Sequence, residues 1–501
     1  MADRDADITF LLEGTYPFVR GGVSGWVHQI IQGLPQFKFS LLFLGSRSSD
    51  YEGLKYTLPD NVVHLECHYL WDGASVSRPK ARPGNNPYFL KAEKFHEWFR
   101  NPRIGYDDEL ARQVLTGLGQ EPGCTAEDFF HSEAAWEQLC ASHQRFCPES
   151  SFINYIWTVR AMHGPLFKLA SIAQNLTVTT GLFHSVSTGY AGCLGTILRH
   201  TTGRPLILTE HGIYTKERKI DLQSIFIKEH RDYLSDAPDK GMKYHDQLWI
   251  RYFESLGRLT YCNANPIISL YERNRQRQIA DGADAARTKV IPNGMNVAQF
   301  VALRERRPDK IPPVIGLLGR IVPIKDIKTF IRAMRSVVSQ FPDMEGWIIG
   351  PEEEDPAYAR ECKSLVHNLG LERNVRFLGF QKISDILPQL GLLVLTSISE
   401  AFPLALLEAY ASGVPVVTTD VGGCREVIEG NSEEDRALGA AGIVVPIADP
   451  EAVARACIAL LTDEAKWHAA QRAGISRVER YYTEDIVLSD YMKIYTEALE
   501  S

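Results

Sequence analysis

At 501 residues with 45% hydrophobic content, the chain is long enough for two to four domains with sizeable cores. The formal net charge of −8 is spread along the sequence and no basic face stands out, which argues against a nucleic-acid partner. The nine cysteines form no C-x-x-C pair, the acidic start MADRDAD is no signal peptide, and no run approaches the ~18 apolar residues of a membrane span; a cytoplasmic α/β protein with reduced thiols is expected.

Ile8 to Leu12 predicts a first buried strand running into EGTYPFVRGGVSGWVHQIIQGL, a glycine-rich loop that feeds a helix. Gly21, Gly22 and Gly25 there permit positive φ and close backbone approach, and the helix start after them is a natural anion site; a plain tight turn is the alternative. Phe39 to Leu44 predicts the next strand. From about Tyr69 to Pro148 the rhythm breaks: PYFLKAEKFHEWF and AEDFFHSEAAWEQLC read as helices without strands between them. So many aromatics suit a helical insertion better than a solvated tract. The α/β pattern resumes with a helix near Met162, a strand at Leu182 to Ser185, a helix through Tyr190 to Leu198 and the strand PLILTEHG. His211, beside Glu210 and Gly212 at that strand's carboxyl end, is either a structural histidine or one that faces a ligand cleft. A charged stretch, Ile213 to Lys243, precedes a helix around Gln247 to Leu256, a strand RLTYCNAN and a turn at Pro292, Asn293 and Gly294.

In the second half Ile315 to Leu318 predicts a strand, Gly319 a turn, and Arg320 and Lys325 two cations five positions apart. Cations at a strand-to-helix loop can clamp a diphosphate, Arg as a fork and Lys as a point charge; a solvated basic pair is the alternative. WIIGPEE puts Gly350 at another strand end, and NVRFLGF puts Gly379 and Phe380 at the next, where Phe380 is either a core aromatic or a neighbour of a nucleotide base. The strand Leu392 to Leu395 then leads into SEAFPLALLEAYASG, with Glu400 and Glu408 eight positions apart and Phe402, Pro403 and Leu404 between them. Glu400 falls in the loop, beside free N–H groups at a helix start. Glu408 lies two turns along the helix, where a carboxylate can accept two hydrogen bonds from a vicinal diol such as ribose. A capping and a solvated glutamate are the alternative. Gly422 and Gly423 make another turn, Gly442 to Val445 a last strand, and SRVERYYTEDIVLSDYMKIYTEAL one amphipathic helix. The D-x-D triplets, Asp5-Ala6-Asp7 and the overlapping Asp3-Arg4-Asp5, precede the first strand, so no metal site is expected, and no further carboxylate is placed as a nucleophile.

E-x7-E followed by LLEAYASGVPVV, with GGVSGW, TEHG, PNG and G-R-x4-K, resembles the nucleotide-sugar signature of retaining glycosyltransferases of family four, which have the GT-B fold. The resemblance implies two Rossmann-like α/β domains facing each other across a cleft. These would be residues 1–295, with the insertion at about 69–148, and residues 296–478, which bind the nucleotide sugar, with a helix over 479–501 crossing back to the first domain. It implies hexosyl transfer from a nucleotide-sugar donor, UDP-linked, to a growing exopolysaccharide, with retention by front-face attack and with no cofactor or metal. Glu400 and His211 would serve catalysis; Gly21, Gly22, Arg320, Lys325, Gly350, Phe380, Phe402, Leu404 and Glu408 would hold the donor. Residues 213–243 resemble a mobile acceptor-side segment, and the implied partners are synthase or export proteins at the inner membrane. Many family members carry Gly where this chain has Pro403, so one backbone donor near the sugar is missing. A GT-B sugar-nucleotide epimerase, which would not be expected to carry the E-x7-E clamp, and an idle nucleotide-sugar-binding subunit are the competing readings.

Overall fold

Strands that are apolar along their whole length need cover on both faces, and helices following each strand supply it in both halves of this chain. The computed structural model describes residues 4–72, 80, 82–101, 103–216, 218 and 244–500. The chain divides into two units: Met1–Ser269 with Arg275–Lys289 and Tyr491–Ser501, and Leu270–Asn274 with Val290–Asp490.

The first unit is built on a seven-stranded sheet in the order β3-β2-β1-β4-β5-β6-β7. Its strands are β1 (Ala6–Glu13), β2 (Phe39–Gly45), β3 (Val62–Tyr69), β4 (Thr180–Ser185), β5 (Leu206–Glu210), β6 (Ile267–Ser269) and β7 (Thr288–Val290). β1 pairs in parallel with β2 (Ile8 opposite Phe39) and with β4 (Ile8 opposite Leu182). The chain leaves β1 toward one edge of the sheet and β4 toward the other, which opens a crevice at their carboxyl ends. β3 is a strand the hydrophobic pattern does not announce: it lies at the sheet edge, and His64, Glu66 and His68 alternate with its apolar residues.

Helices α1 (Gly22–Gly33), α2 (Asn86–Arg100), α3 (Asp108–Thr116), α4 (Ala126–His131), α5 (Glu133–Phe146), α6 (Phe152–Gln174), α7 (Tyr190–Thr202) and α8 (Tyr244–Asn263) complete this unit's larger elements. Side-chain caps define the run after β3: Asn85, Asp107, Thr125, Ser132 and Ser151 each accept a backbone N–H at the start of α2 to α6. The stretch RLTYCNAN is not a strand. Residues up to Asn263 continue α8, where Thr260 Oγ1 bonds back to the Leu256 carbonyl at 2.9 Å and Tyr252, Leu256 and Leu259 bury one face. Its β-branched and aromatic composition misleads when that helical spacing is ignored. The strand proper is Ile267–Ser269. Most of 213–243 lies outside the described residues.

The second unit carries six parallel strands in the order β10-β9-β8-β11-β12-β13. These are β8 (Val314–Leu318), β9 (Glu345–Ile349), β10 (Val375–Gly379), β11 (Leu392–Leu395), β12 (Val416–Thr419) and β13 (Gly442–Val445). The switch point lies between β8 and β11. The expected single tail helix is two, Glu464–Tyr481 and Glu484–Glu500. Between them Met295 N–H donates to the Tyr482 carbonyl (3.0 Å) and the Met295 carbonyl accepts from Glu484 N–H (2.9 Å), so the loop around Met295 breaks the helix. From Tyr491 onward the tail belongs to the first unit, with Tyr495 OH 2.8 Å from His184 Nδ1 and Tyr491 OH 3.0 Å from Thr209 Oγ1. Among the described residues no helix is long and apolar enough to cross a membrane.

Candidate active site

Beside the second unit's switch point the carboxyl ends of β8, β9 and β10 are joined through glycine backbone. Gly319 N–H donates to the Ile349 carbonyl and Gly350 N–H to that of Gly379, both at 2.9 Å. Gly350 has φ 152°, and a Cβ there would lie 2.0 Å from the Gly319 carbonyl oxygen. The bare backbone leaves room above it for a ligand.

The loop after β8 carries Lys325 on a short turn pinned to the end of β11. Thr396 Oγ1 lies 3.0 and 2.9 Å from the carbonyls of Lys325 and Asp326, and Ile398 N–H donates to the Ile324 carbonyl at 2.9 Å. Asp326, in the left-handed region at φ 45°, caps the helix Ile327–Gln340 through Thr329. Lys325 Nζ thereby reaches Glu400 Oε1 at 2.5 Å, and Ser397 Oγ donates to the same oxygen at 2.6 Å. Both charged side chains are largely buried. The loop bearing Glu400 rests on the Gly422–Gly423 turn: Gly423 N–H donates to the Ala401 carbonyl at 2.8 Å. Gly422 has φ 52°, and a Cβ there would fall 2.2 Å from the Glu400 carbonyl oxygen.

Arg320 behaves differently from its expected partner. It is half-exposed and bonds Glu354 at 2.6 Å, so the two cations are held by two separate carboxylates instead of standing free as one clamp. Glu408 sits on the helix Leu404–Ala411, half-buried, and among the described residues its carboxylate has no hydrogen-bond or ionic partner. Desolvation pushes its pKa up to about 7. Pro403 caps that helix and Leu404 opens it, partly exposed. Phe380 is 81% exposed, which removes the core reading for its ring. Phe402 is the reverse: 7% exposed, it packs on Tyr482 at 5.7 Å between ring centroids. Only its backbone is left to meet a ligand.

In the first unit the β1/β4 crevice is a cavity of about 550 Å³ lined by Glu13, Tyr51, Trp71, Tyr190, His211 and Tyr214, among others. Glu13 is fixed at its floor, accepting Ala191 N–H at 3.1 Å and Tyr214 OH at 3.0 Å, and burial raises its pKa. His211 is buried edge-on against Trp26, with ring centroids 4.8 Å apart. Its Nε2 has no partner among the described residues. Burial pulls its pKa down to about 3, so it stays neutral with a ring nitrogen to offer. Its neighbour Glu210 is structural, accepting Thr188 Oγ1, Tyr261 OH and Gln278 Nε2 at 3.1, 2.7 and 3.0 Å. Gly21 caps α1 with extended backbone at φ 170°, and positive φ is not adopted at Gly21, Gly22 or Gly25. A Cβ at any of the three would meet nothing within 4 Å, so the loop borders open space.

The structure thus brings Lys325 and Glu400 together in the second unit and places His211 with Glu13 in the first. Ser397, Glu354, Gly422 and Glu13 were not anticipated as site components. The Gly-Gly pair was legible as a turn, but nothing in the sequence reveals what packs on it.

Residues 6–286, more than half of the chain, match the family described as "Domain of unknown function (DUF3492)", and the protein belongs to that family. Residues 312–463 match "Glycosyl transferases group 1". The fold is that of GT-B glycosyltransferases: Anabaena Alr3699/HepE, solved with UDP and glucose, superposes with a TM-score of 0.58 at 16% identity, over 98% of this chain and 100% of that one. A D-inositol 3-phosphate glycosyltransferase of Corynebacterium urealyticum is 28% identical over 42% of this chain and 53% of its own length. The lipopolysaccharide core biosynthesis mannosyltransferase LpsB of Rhizobium meliloti is 32% identical over 35% and 48%. The chain spans about half the length of these two curated relatives.

Proposed function

We propose that this protein is a retaining glycosyltransferase that moves a hexosyl or N-acetylhexosaminyl group from a UDP-linked donor to a growing exopolysaccharide. The observation that carries the proposal is the buried Lys325–Glu400 pair at the second unit's switch point, inside the segment matching group 1 glycosyl transferases. The diphosphate takes over Lys325, with Arg320 adding charge from the rim, and Glu400, released from the lysine, meets the sugar. Glu408 accepts the ribose hydroxyls, Phe380 offers a face to the base, and Gly350 lets the donor approach the backbone. As the bond from C1 to the β-phosphate oxygen breaks, the acceptor hydroxyl oxygen bonds to C1 on the same face. Its proton passes to the departing phosphate, and the fixed cation stabilises the developing charge without a metal. The first unit's cavity, with His211 and the open glycine loop, receives the acceptor; its tyrosines and tryptophan suit sugar rings.

UDP bound to the HepE structure and the lipopolysaccharide role in the name of LpsB support this donor and product class. The finer assignment rests on resemblance over the whole chain to the Pel exopolysaccharide glycosyltransferase, PelF. It makes the biofilm-matrix Pel polymer the product and inner-membrane synthase and export proteins of that pathway the partners. Incubation with radiolabelled UDP-hexoses and UDP-N-acetylhexosamines, followed by product analysis, tests the reading. A labelled oligosaccharide with the donor's anomeric configuration is expected. Bound donor that is never turned over, or is returned as its epimer, would overturn it.

A further inference from the structure

The helical run after β3 encloses a second space that the proposed reaction does not use. A cavity of about 320 Å³ lies among α2, α5, α6 and α8, walled by Phe89, Phe99, Phe129, Leu139, Val159 and Met162. A void of about 60 Å³ shares Phe89, His96 and Phe129 with it and continues toward Phe95 and Leu115. Together they form a tapering apolar space of the size that takes a small ligand, in a protein interior that otherwise leaves few such voids. The polar groups on its wall are already satisfied from within: Gln138 donates to the Phe89 carbonyl, Ser255 to that of Arg251, and Tyr252 OH to that of Met162. His163 Nδ1 bonds the Val159 carbonyl and its Nε2 lies 3.4 Å from His96 Nε2. Burial keeps His96 neutral, with a pKa near 3. The interior therefore asks for no polar or charged group.

The lip is the opposite. Arg100 and Arg251 line the opening and are exposed, and the guanidinium of Arg100 lies 4.3 Å, that of Arg145 5.0 Å, from the centroid of the Phe146 ring. Among the described residues none of these three arginines has a carboxylate within ion-pairing distance. Arginines without acids, set at the mouth of a largely apolar space, complement a ligand with an anionic end and a hydrocarbon end.

We propose that this cavity binds a single-chain amphiphile with an anionic head, its chain among the phenylalanines and its head on Arg100 and Arg251. Calorimetry on the full chain with dodecyl phosphate, kept below its micelle concentration, tests this. Saturable binding of one molecule per chain is expected, with none for inorganic phosphate and at least tenfold weaker binding for dodecyltrimethylammonium. The double variant Arg100→Ala/Arg251→Ala should lose at least tenfold in affinity, and Val159→Phe, which fills the space, should abolish binding while melting as the parent does. Should Val159→Phe fail to fold, a photoreactive dodecyl phosphate decides, with label expected on peptides of α2, α5 and α6. Binding that ignores head charge, equal binding of inorganic phosphate, unchanged affinity in a folded Val159→Phe, or label elsewhere would each overturn the proposal.

Discussion

Glu408 carries a carboxyl whose surroundings oppose ionisation, while a carboxylate accepting both hydroxyls of a diol must be ionised. With its pKa pushed up to about 7, the group is mostly protonated at pH 6 and mostly charged at pH 8. UDP affinity should therefore rise across that interval by up to about tenfold relative to Glu408→Gln. The nucleotide's own phosphate ionisation is common to both proteins and cancels in the ratio. Calorimetry at the two pH values measures it, and a flat ratio would remove Glu408 from the ribose. The Lys325–Glu400 pair makes a second, asymmetric prediction. Lys325→Ala should weaken UDP binding by about 1.5–3 kcal/mol, the range for a hydrogen bond to a charged group. Glu400→Ala deletes the lysine's internal competitor, so UDP binding should be unchanged or tighter while turnover is lost. Equal loss of affinity in the two variants would show that the roles are wrongly divided.

Elements were legible where their pattern was local. The strands at Ile8 to Leu12, Phe39 to Leu44, Ile315 to Leu318 and Leu392 to Leu395 are apolar because they are covered on both faces, and the structure has strands there. Edge strand β3 hides because His64, Glu66 and His68 interrupt its apolar run, and α8 hides because Leu259, Thr260 and Tyr261 read as strand when taken alone. Of the candidate site, the loop positions of Lys325 and Glu400 could be read from strand ends. Their union could not, because it depends on Thr396, Ser397 and Gly422 packing across the switch point. That dependence gives a prediction for paired glycines. Gly422→Ala must place a methyl 2.2 Å from the Glu400 carbonyl at positive φ, so it should destabilise the unit and abolish transfer. Gly25→Ala, inside α1 with nothing near its Cβ, should be neutral or stabilising by about 0.5–1 kcal/mol. Urea denaturation of both variants checks the contrast. A tolerated Gly422→Ala would mean that the turn does not hold the Glu400 loop.

At the scale of the whole chain, buried histidines and buried carboxyls respond to pH in opposite senses. The first unit buries His96, His184 and His211, each with its pKa pulled down to about 3 by desolvation. His184 is locked neutral between Tyr495 OH and Thr209 Oγ1, so the chain terminus is tied to the same network. In the unfolded chain these histidines titrate near 6.5. Folded values below the unfolded ones mean that their contribution to stability is complete above about pH 6.5 and is lost progressively as pH falls toward 3. Between pH 7.5 and 5.5 the cost is about 1 kcal/mol for each histidine. Glu13 and Glu210 in the first unit, whose pKa values burial raises, run the other way, and so does Glu408 in the second. The folded pKa of Glu408 lies above the unfolded value, so its contribution is complete below about pH 4.5 and is lost as pH rises through 7. With three histidines set against Glu13 and Glu210, acidification from pH 7.5 to 5.5 should speed hydrogen exchange of the β1, β4 and β5 amides, after correction for the intrinsic rate, and leave the β8, β9 and β11 amides as protected as before or more so. Replacing His184 by Gln, which keeps an amide at the Nε2 position facing Thr209 and cannot charge, should remove part of the first unit's response. Equal loss of protection in both sheets would place the acid sensitivity in groups other than these buried ones.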